Sequence, residues 1–159
     1  EIAPEAFAER LQRTLPSCIK VLGCQTVEDS YPTLMSLVAG SKITIRVQET
    51  VQNAAKLAVA LDAFMKSDEC IALRKTKSGE AMCNIRPFVQ EADCEPTDNG
   101  CNLRCVMLNN KNGALKPTVL MKALCDAAGL TDVFFVAYRE AILARDQDGK
   151  LIPMEQYHV

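Results

Sequence analysis

Arginine is the residue type whose placement in this chain suggests chemistry. Residues 71–89 read IALRKTKSGEAMCNIRPFV, and Lys77-Ser78-Gly79 has the composition of a three-residue hairpin loop with Gly79 in the left-handed conformation. That loop pairs Leu73 with Cys83 and Ile71 with Ile85 on one face, leaving Arg74, Asn84 and Arg86 on the other. A two-residue loop at Ser78-Gly79 sets Leu73 beside Asn84 and Ile71 beside Arg86, mixing apolar and polar on both faces, so the pattern selects the longer loop. Alternation elsewhere turns Arg46 and Arg104 outward as well. Guanidinium groups grip carboxylates and phosphates through a planar fork of donors, and a cluster of them repels itself unless anions compensate it. Arg46, Arg74, Asn84, Arg86 and Arg104 are therefore the expected binding set.

Other chemistries fit the residues less well. Cys94, Cys101 and Cys105 are spaced C-x6-C-x3-C, and Cys18 and Cys24 are separated by five residues, but no CxxC pair or CxxxCxxC triplet occurs among the eight cysteines. The expectation is no metal, with Cys83, Cys105 and Cys125 serving as small core hydrophobes in a reducing compartment. The single histidine, His158, sits next to the C-terminus, which leaves a hydrolase triad without its centre. GxGxxG, GxxxxGK[ST] and HExxH are all missing, so no cofactor is implied. Glu91, Asp93, Glu95 and Asp98 read as a solvated acidic loop rather than an acid/base pair. A non-enzymatic protein is expected.

The elements that must position the arginines follow from periodicity. Pro4 suits a first helical turn, Phe7, Leu11 and Leu15 recur every four residues, and Pro16 ends that helix. Residues 18–27, CIKVLGCQTV, read as a strand, followed by a turn at residues 28–32. Lys42 to Gln48 alternates Ile43, Ile45 and Val47 with polar residues. Thr50 caps a helix with a stripe of Val51, Ala54, Ala58, Leu61 and Met65, running to about Ser67. After the hairpin, residues 91–100 read as a loop, Asn102 to Leu108 as a strand and residues 109–113 as a turn. Pro117 opens a second helix with Leu120, Leu124 and Ala128, Gly129 stops it, and Val133 to Leu143 forms a last strand. The polar tail after Asp146 is expected to fray.

This order, β-α-β-β-β-α-β, predicts an α+β fold: a ferredoxin-like split βαβ sandwich with helices on one face of an antiparallel sheet, preceded by an extra helix-strand unit. The expected boundaries are a helix-strand unit at 1–30, a ferredoxin-like domain at 31–146 and a polar tail at 147–159. The arginine set would occupy the uncovered sheet face. With 159 residues, 48% hydrophobic and 24% charged, the chain has the composition of an ordinary globular domain. It lacks the run of about 20 apolar residues that a bilayer demands and the layout of a signal peptide, so a cytoplasmic location without membrane contact is expected. A net charge of −2 argues against nucleic-acid binding by bulk charge, leaving only a local basic face.

Tyr31 to Val38 (YPTLMSLV), the Asn84-Ile85-Arg86-Pro87 step, Leu115-Lys116-Pro117 ahead of a helix with Leu120, the Leu15-Pro16 helix end and Arg139 together resemble the bacterial radical SAM-linked protein family, a conserved domain of unknown function. The resemblance runs from about Pro4 to Leu143. It implies a non-catalytic companion of a radical SAM enzyme, presenting an RNA or protein substrate. Two departures stand out. Asn84 occupies a position where the family usually carries Asp, which removes a carboxylate partner for Arg86. The family's opening Ser-His-Leu-Asp and Gly-Phe-x-Pro segments have no counterpart, so the chain looks like a C-terminal portion whose first thirty residues end a truncated module.

Two functional expectations result. In one, the open face docks an anionic partner through Arg74, Arg86 and Arg104, with RNA the first candidate, although sheet-based RNA readers stack bases on exposed aromatics and the pattern places none there; Phe88 has outward parity but follows Pro87. In the other, the face is a structural protein interface meeting the radical SAM enzyme or the missing module, and the isolated chain aggregates or dimerises. A small-molecule-binding regulatory role rests on fold analogy alone.

Overall fold

The computed structural model describes residues 2–76, 79–110 and 113–157, and the chain divides into two compact units, Glu1–Thr33 and Leu34–His158. In the first, α1 (Pro4–Thr14) begins on its proline and ends at Leu15, whose backbone is extended before Pro16. The expected strand at residues 18–27 does not form. Its backbone is held by a side chain instead: the Gln12 amide donates to the Ile19 carbonyl at 2.9 Å and accepts from the Val21 N–H at 2.8 Å. A β-rich composition makes a strand only where another strand offers a ladder.

The second unit is mixed α+β. It starts with the short helix α2 (Leu34–Leu37) and strand β1 (Gly40–Gln48), followed by α3 (Val51–Lys66), which Thr50 caps by accepting the Asn53 N–H at 3.2 Å. The hairpin strands β2 (Ile71–Thr76) and β3 (Gly79–Asn84) lead through a 3-10 turn at Arg86–Phe88 into β4 (Val89–Thr97) and β5 (Gly100–Asn110). The short β6 (Gly113–Ala114) pairs with β5 and precedes α4 (Pro117–Ala128), closed by Gly129 at φ +66. Strands β7 (Phe134–Arg145) and β8 (Leu151–Pro153) complete the unit. The main sheet runs β4-β5-β1-β7-β8 and every neighbouring pair is antiparallel.

Alternation along the central strands aims Ile43, Ile45 and Val47 from β1 and Leu103, Cys105 and Met107 from β5 at one side, where they join Leu57, Leu61 and Phe64 of α3 and Leu120, Met121 and Leu124 of α4 in a single core. Helices therefore cover one sheet face and leave the other open. The β4–β5 turn depends on Gly100, which sits at φ +135 with its α-carbon so close to β1 that a Cβ would fall 2.0 Å from the Val47 carbonyl oxygen.

Three expectations are corrected here. Residues 91–100, read as a loop, are mostly the edge strand β4: Ala92 and Cys94 face the core while Glu91, Asp93 and Glu95 face out, a weakly apolar alternation that charge disguised. The tail is not frayed throughout, because β8 pairs with β7 from Leu143 to Arg145 and a 3-10 turn follows at Met154–Gln156. Finally, the hairpin has a different register. Thr76 pairs with Gly79, Leu73 with Met82 and Ile71 with Asn84, and the two strands form a sheet of their own; Lys77 and Ser78 lie outside the described residues. Ile71, Leu73 and Met82 consequently point to solvent, while Ala72, Cys83 and Arg74 turn inward. Fully buried Ile85, whose N–H donates to the Cys70 carbonyl at 2.8 Å, sets this parity. Burial of one large side chain outweighed the alternation of the hairpin itself.

Candidate binding face

The open face of the main sheet is built by register. Arg46 on β1 lies opposite Asn102 of β5 and Val136 of β7; Thr44 lies opposite Arg104 and Tyr138. Arg104 in turn lies opposite Asp93 of β4. Residues facing each other across a ladder share a face, so the face reads in bands. At the β4 edge are Glu91, Asp93 and Glu95; next come Asn102, Arg104 and Val106; then Lys42, Thr44 and Arg46; and at β7 Phe134, Val136 and Tyr138. Phe134 is 60% exposed and Tyr138 45%. The Arg46 guanidinium carbon stands 4.8 Å from the centroid of the Tyr138 ring, and Arg104 is ion-paired to Glu95. A shallow depression of about 220 Å³ opens between Lys42, Glu91, Asp93, Arg104 and Glu140.

Of the five side chains expected to converge, only Arg46 and Arg104 share this face. Arg74 points to the other side of its hairpin, where its guanidinium donates to the Ala114 carbonyl at 2.7 Å and lies 4.8 Å from the Phe88 ring centroid. Arg86 is not on a strand. It opens the 3-10 turn, donates to the carbonyls of Met65, at 3.0 Å, and Val89, and lies 5.5 Å from the Phe64 ring. Its Nε is buried without a hydrogen-bond partner. Asn84 serves the backbone: its Oδ1 accepts from the N–H groups of Cys70 at 2.9 Å and Arg86 at 3.1 Å. An Asp at this position would accept the same two bonds, so the position braces the hairpin exit and is not needed as a carboxylate for Arg86. Arg74, Arg86 and Asn84 thus leave the expected binding set as internal ties.

The aromatic half of the face was missed. In residues 134–138, FFVAY, both parities are apolar, so alternation cannot say which ring faces water; the signal available was aromatic residues four apart on a terminal strand. Buried thiols add nothing reactive to the site. Burial in the core, with Cys94 beside it, pushes the Cys101 thiol up to about 12, and burial followed by Asp93 and Cys94 does the same for Cys105. Among the described residues no group of three or more His, Cys, Asp or Glu side chains is placed to hold a metal ion, and no helix is long and apolar enough to cross a membrane.

A family model described as an uncharacterized protein conserved in bacteria, DUF2344, matches residues 1–117. The chain belongs to the DUF2344 family. The match takes in the first compact unit and the second as far as Pro117, the first residue of α4, so the DUF2344 region holds β1, β4 and β5 of the open face while Phe134, Val136 and Tyr138 lie beyond it. The chain matches no curated protein and no solved structure.

Proposed function

We propose that this chain is a non-catalytic accessory module that works with a cytoplasmic radical SAM enzyme and docks a protein partner on the open face of its sheet. The observation that carries this reading is the exposed Phe134, Val136 and Tyr138 band with Arg46 stacked on Tyr138. Interface cores are enriched in Phe, Tyr and Arg and rimmed by polar groups, and the mixed charges of Lys42, Arg104, Glu91 and Asp93 suit a rim. A ferredoxin-like assignment agrees with this use. The order β4-β5-β1-β7, with α3 and α4 as the crossovers, supports reading the unit as a split βαβ sandwich with the β2–β3 hairpin inserted between α3 and β4.

RNA is the second reading, favoured by Phe134 and Tyr138, whose rings could stack unpaired bases. Glu91, Asp93, Glu95 and Glu140 oppose it, because a polyanion laid across the face meets four carboxylates.

The test is co-expression of the tagged chain with the radical SAM enzyme of the same bacterium, comparing wild type with Tyr138→Ala and Arg46→Glu, each made singly. The proposal expects capture of the enzyme by wild type and at least a tenfold loss in both variants. Equal capture by all three overturns it; salt-sensitive retention of RNA in place of the enzyme transfers the face to the second reading.

A further inference from the structure

The depression beside Arg104 carries a charge surplus that the protein does not cancel. Arg104 lies opposite Asp93 on the β4–β5 ladder, yet its guanidinium pairs with Glu95. Around the depression this leaves Glu91, Asp93 and Glu140 with no ion-pair partner among the described residues, against the one ammonium of Lys42, which is also unpaired. Three carboxylates against one ammonium leave an excess of two negative charges. They approach from opposite sides: Glu91 and Asp93 stand on the edge strand β4, and Glu140 is the extra residue of a bulge in β7 between Arg139 and Ala141, a device that re-aims a side chain. The floor between them includes Thr44 and Val106, both half-buried. Concave shape, a weakly polar floor and anionic walls thus coincide at one place on the open face.

We infer that the depression receives an arginine side chain of the docked protein. The inference rests on the reading of the open face as a protein-docking surface and names the chemistry of what docks there. An arginine stem lies against Thr44 and Val106 while its planar fork reaches carboxylates on both walls, which the point charge of a lysine does less well. An apolar side chain in the same place would strip water from three carboxylates and give them no partner. An acidic one would add to the surplus. The partner's second anchor is apolar, because Phe134, Val136 and Tyr138 adjoin the depression. Val136 lies opposite Arg46, and the depression surrounds Lys42 and Thr44; at ~3.3 Å per residue and ~4.8 Å per strand the two anchor points are on the order of 10 Å apart. One helix or strand of a partner spans that distance.

The probe is Nα-acetyl-arginine amide, titrated into the full chain and followed by amide chemical shifts, with the neutral isostere Nα-acetyl-citrulline amide as control. The arginine probe should move the amides of Thr44, Arg104 and Val106 saturably in the millimolar range, and the citrulline probe should not. Glu91 and Glu140 are exposed, so the Glu91→Gln, Glu140→Gln double variant should fold as wild type, which circular dichroism melting checks, and bind the arginine probe at least tenfold more weakly; Glu140→Gln alone is the second variant. No saturable response in wild type, an equal response to citrulline, or undiminished binding by the variants overturns the inference. So does self-association of wild type that the arginine probe dissolves, since the depression would then belong to a second copy of the chain. Failure of the docking reading looks different: the arginine probe binds, but wild type captures no radical SAM enzyme. Where wild type does capture the enzyme, Glu91→Lys with Glu140→Lys should reduce capture at least tenfold, and undiminished capture overturns the inference while leaving the docking reading in place.

Discussion

Arg46 and Tyr138 lie diagonally across the β1–β7 ladder, with the guanidinium carbon 4.8 Å from the ring centroid. The stack holds a cation over an exposed aromatic, which keeps the ring upright on the open face at little cost because both groups remain hydrated at their edges. A double-mutant cycle of Arg46→Ala and Tyr138→Ala, followed by urea unfolding, should return a coupling of about 0.5–1 kcal/mol. Additive effects would mean that the two side chains are placed together by the strands alone.

Asn84 gives a sharper expectation. Its Oδ1 takes the N–H groups of Cys70 and Arg86, and both donors are half-screened from water where the hairpin leaves its own sheet. Asn84→Ala strands them and should lower stability by about 1–3 kcal/mol. Asn84→Asp keeps the acceptor and adds charge assistance, so its urea midpoint should equal or exceed that of wild type. A destabilised Asp variant would show that the amide nitrogen has a role of its own.

Arg86 ties the end of α3 to the start of β4 through the carbonyls of Met65 and Val89 while its guanidinium rests on Phe64. Arg86→Ala breaks two charged hydrogen bonds and a stack and should cost about 2–4 kcal/mol. Arg86→Lys keeps the charge but has no fork to reach both carbonyls, so it should recover less than half of that loss. Full recovery by Lys in thermal melts would reduce the role of Arg86 to charge alone.

These two residues also mark where reading the sequence stopped working. Helices with a cap, a stripe and a stop were legible: Thr50 opens α3, and Pro117 and Gly129 bound α4. So were the faces of β1 and β5, because Ile43, Ile45, Leu103 and Met107 alternate with polar neighbours. The hairpin was not, because its register answers to Ile85, buried outside it, and a shift of one residue reverses every side chain. That reversal is what carried Arg74 inward. β4 escaped notice because Ala92 and Cys94 are too small to announce an inner face beside three carboxylates. Tyr138 escaped because both parities of β7 are apolar. Each failure lies where a neighbour in space, not in sequence, decides the direction of a side chain.

Cys101 and Cys105 make the fold's response to alkali testable. Both thiols are buried in the core and held near 12 by that burial, against 9.0 for an ordinary thiol. Below pH 9 folded and unfolded chains keep these protons alike, and the stabilising contribution is complete. Between pH 9 and 12 the unfolded chain gives up protons that the folded chain retains, so unfolding is drawn forward and stability falls by about 1.4 kcal/mol per pH unit for each thiol. The melting temperature should therefore decline above about pH 9, and the Cys101→Ala, Cys105→Val double variant should decline less steeply, whatever its stability at neutral pH. Labelling offers a second readout: at pH 8 a maleimide should modify the exposed Cys18 and Cys24 in the native protein and reach Cys101 and Cys105 only on unfolding. Rapid native labelling of Cys105, or parallel alkaline slopes in wild type and the double variant, would mean that β5 opens to solvent far more readily than its packed core side implies.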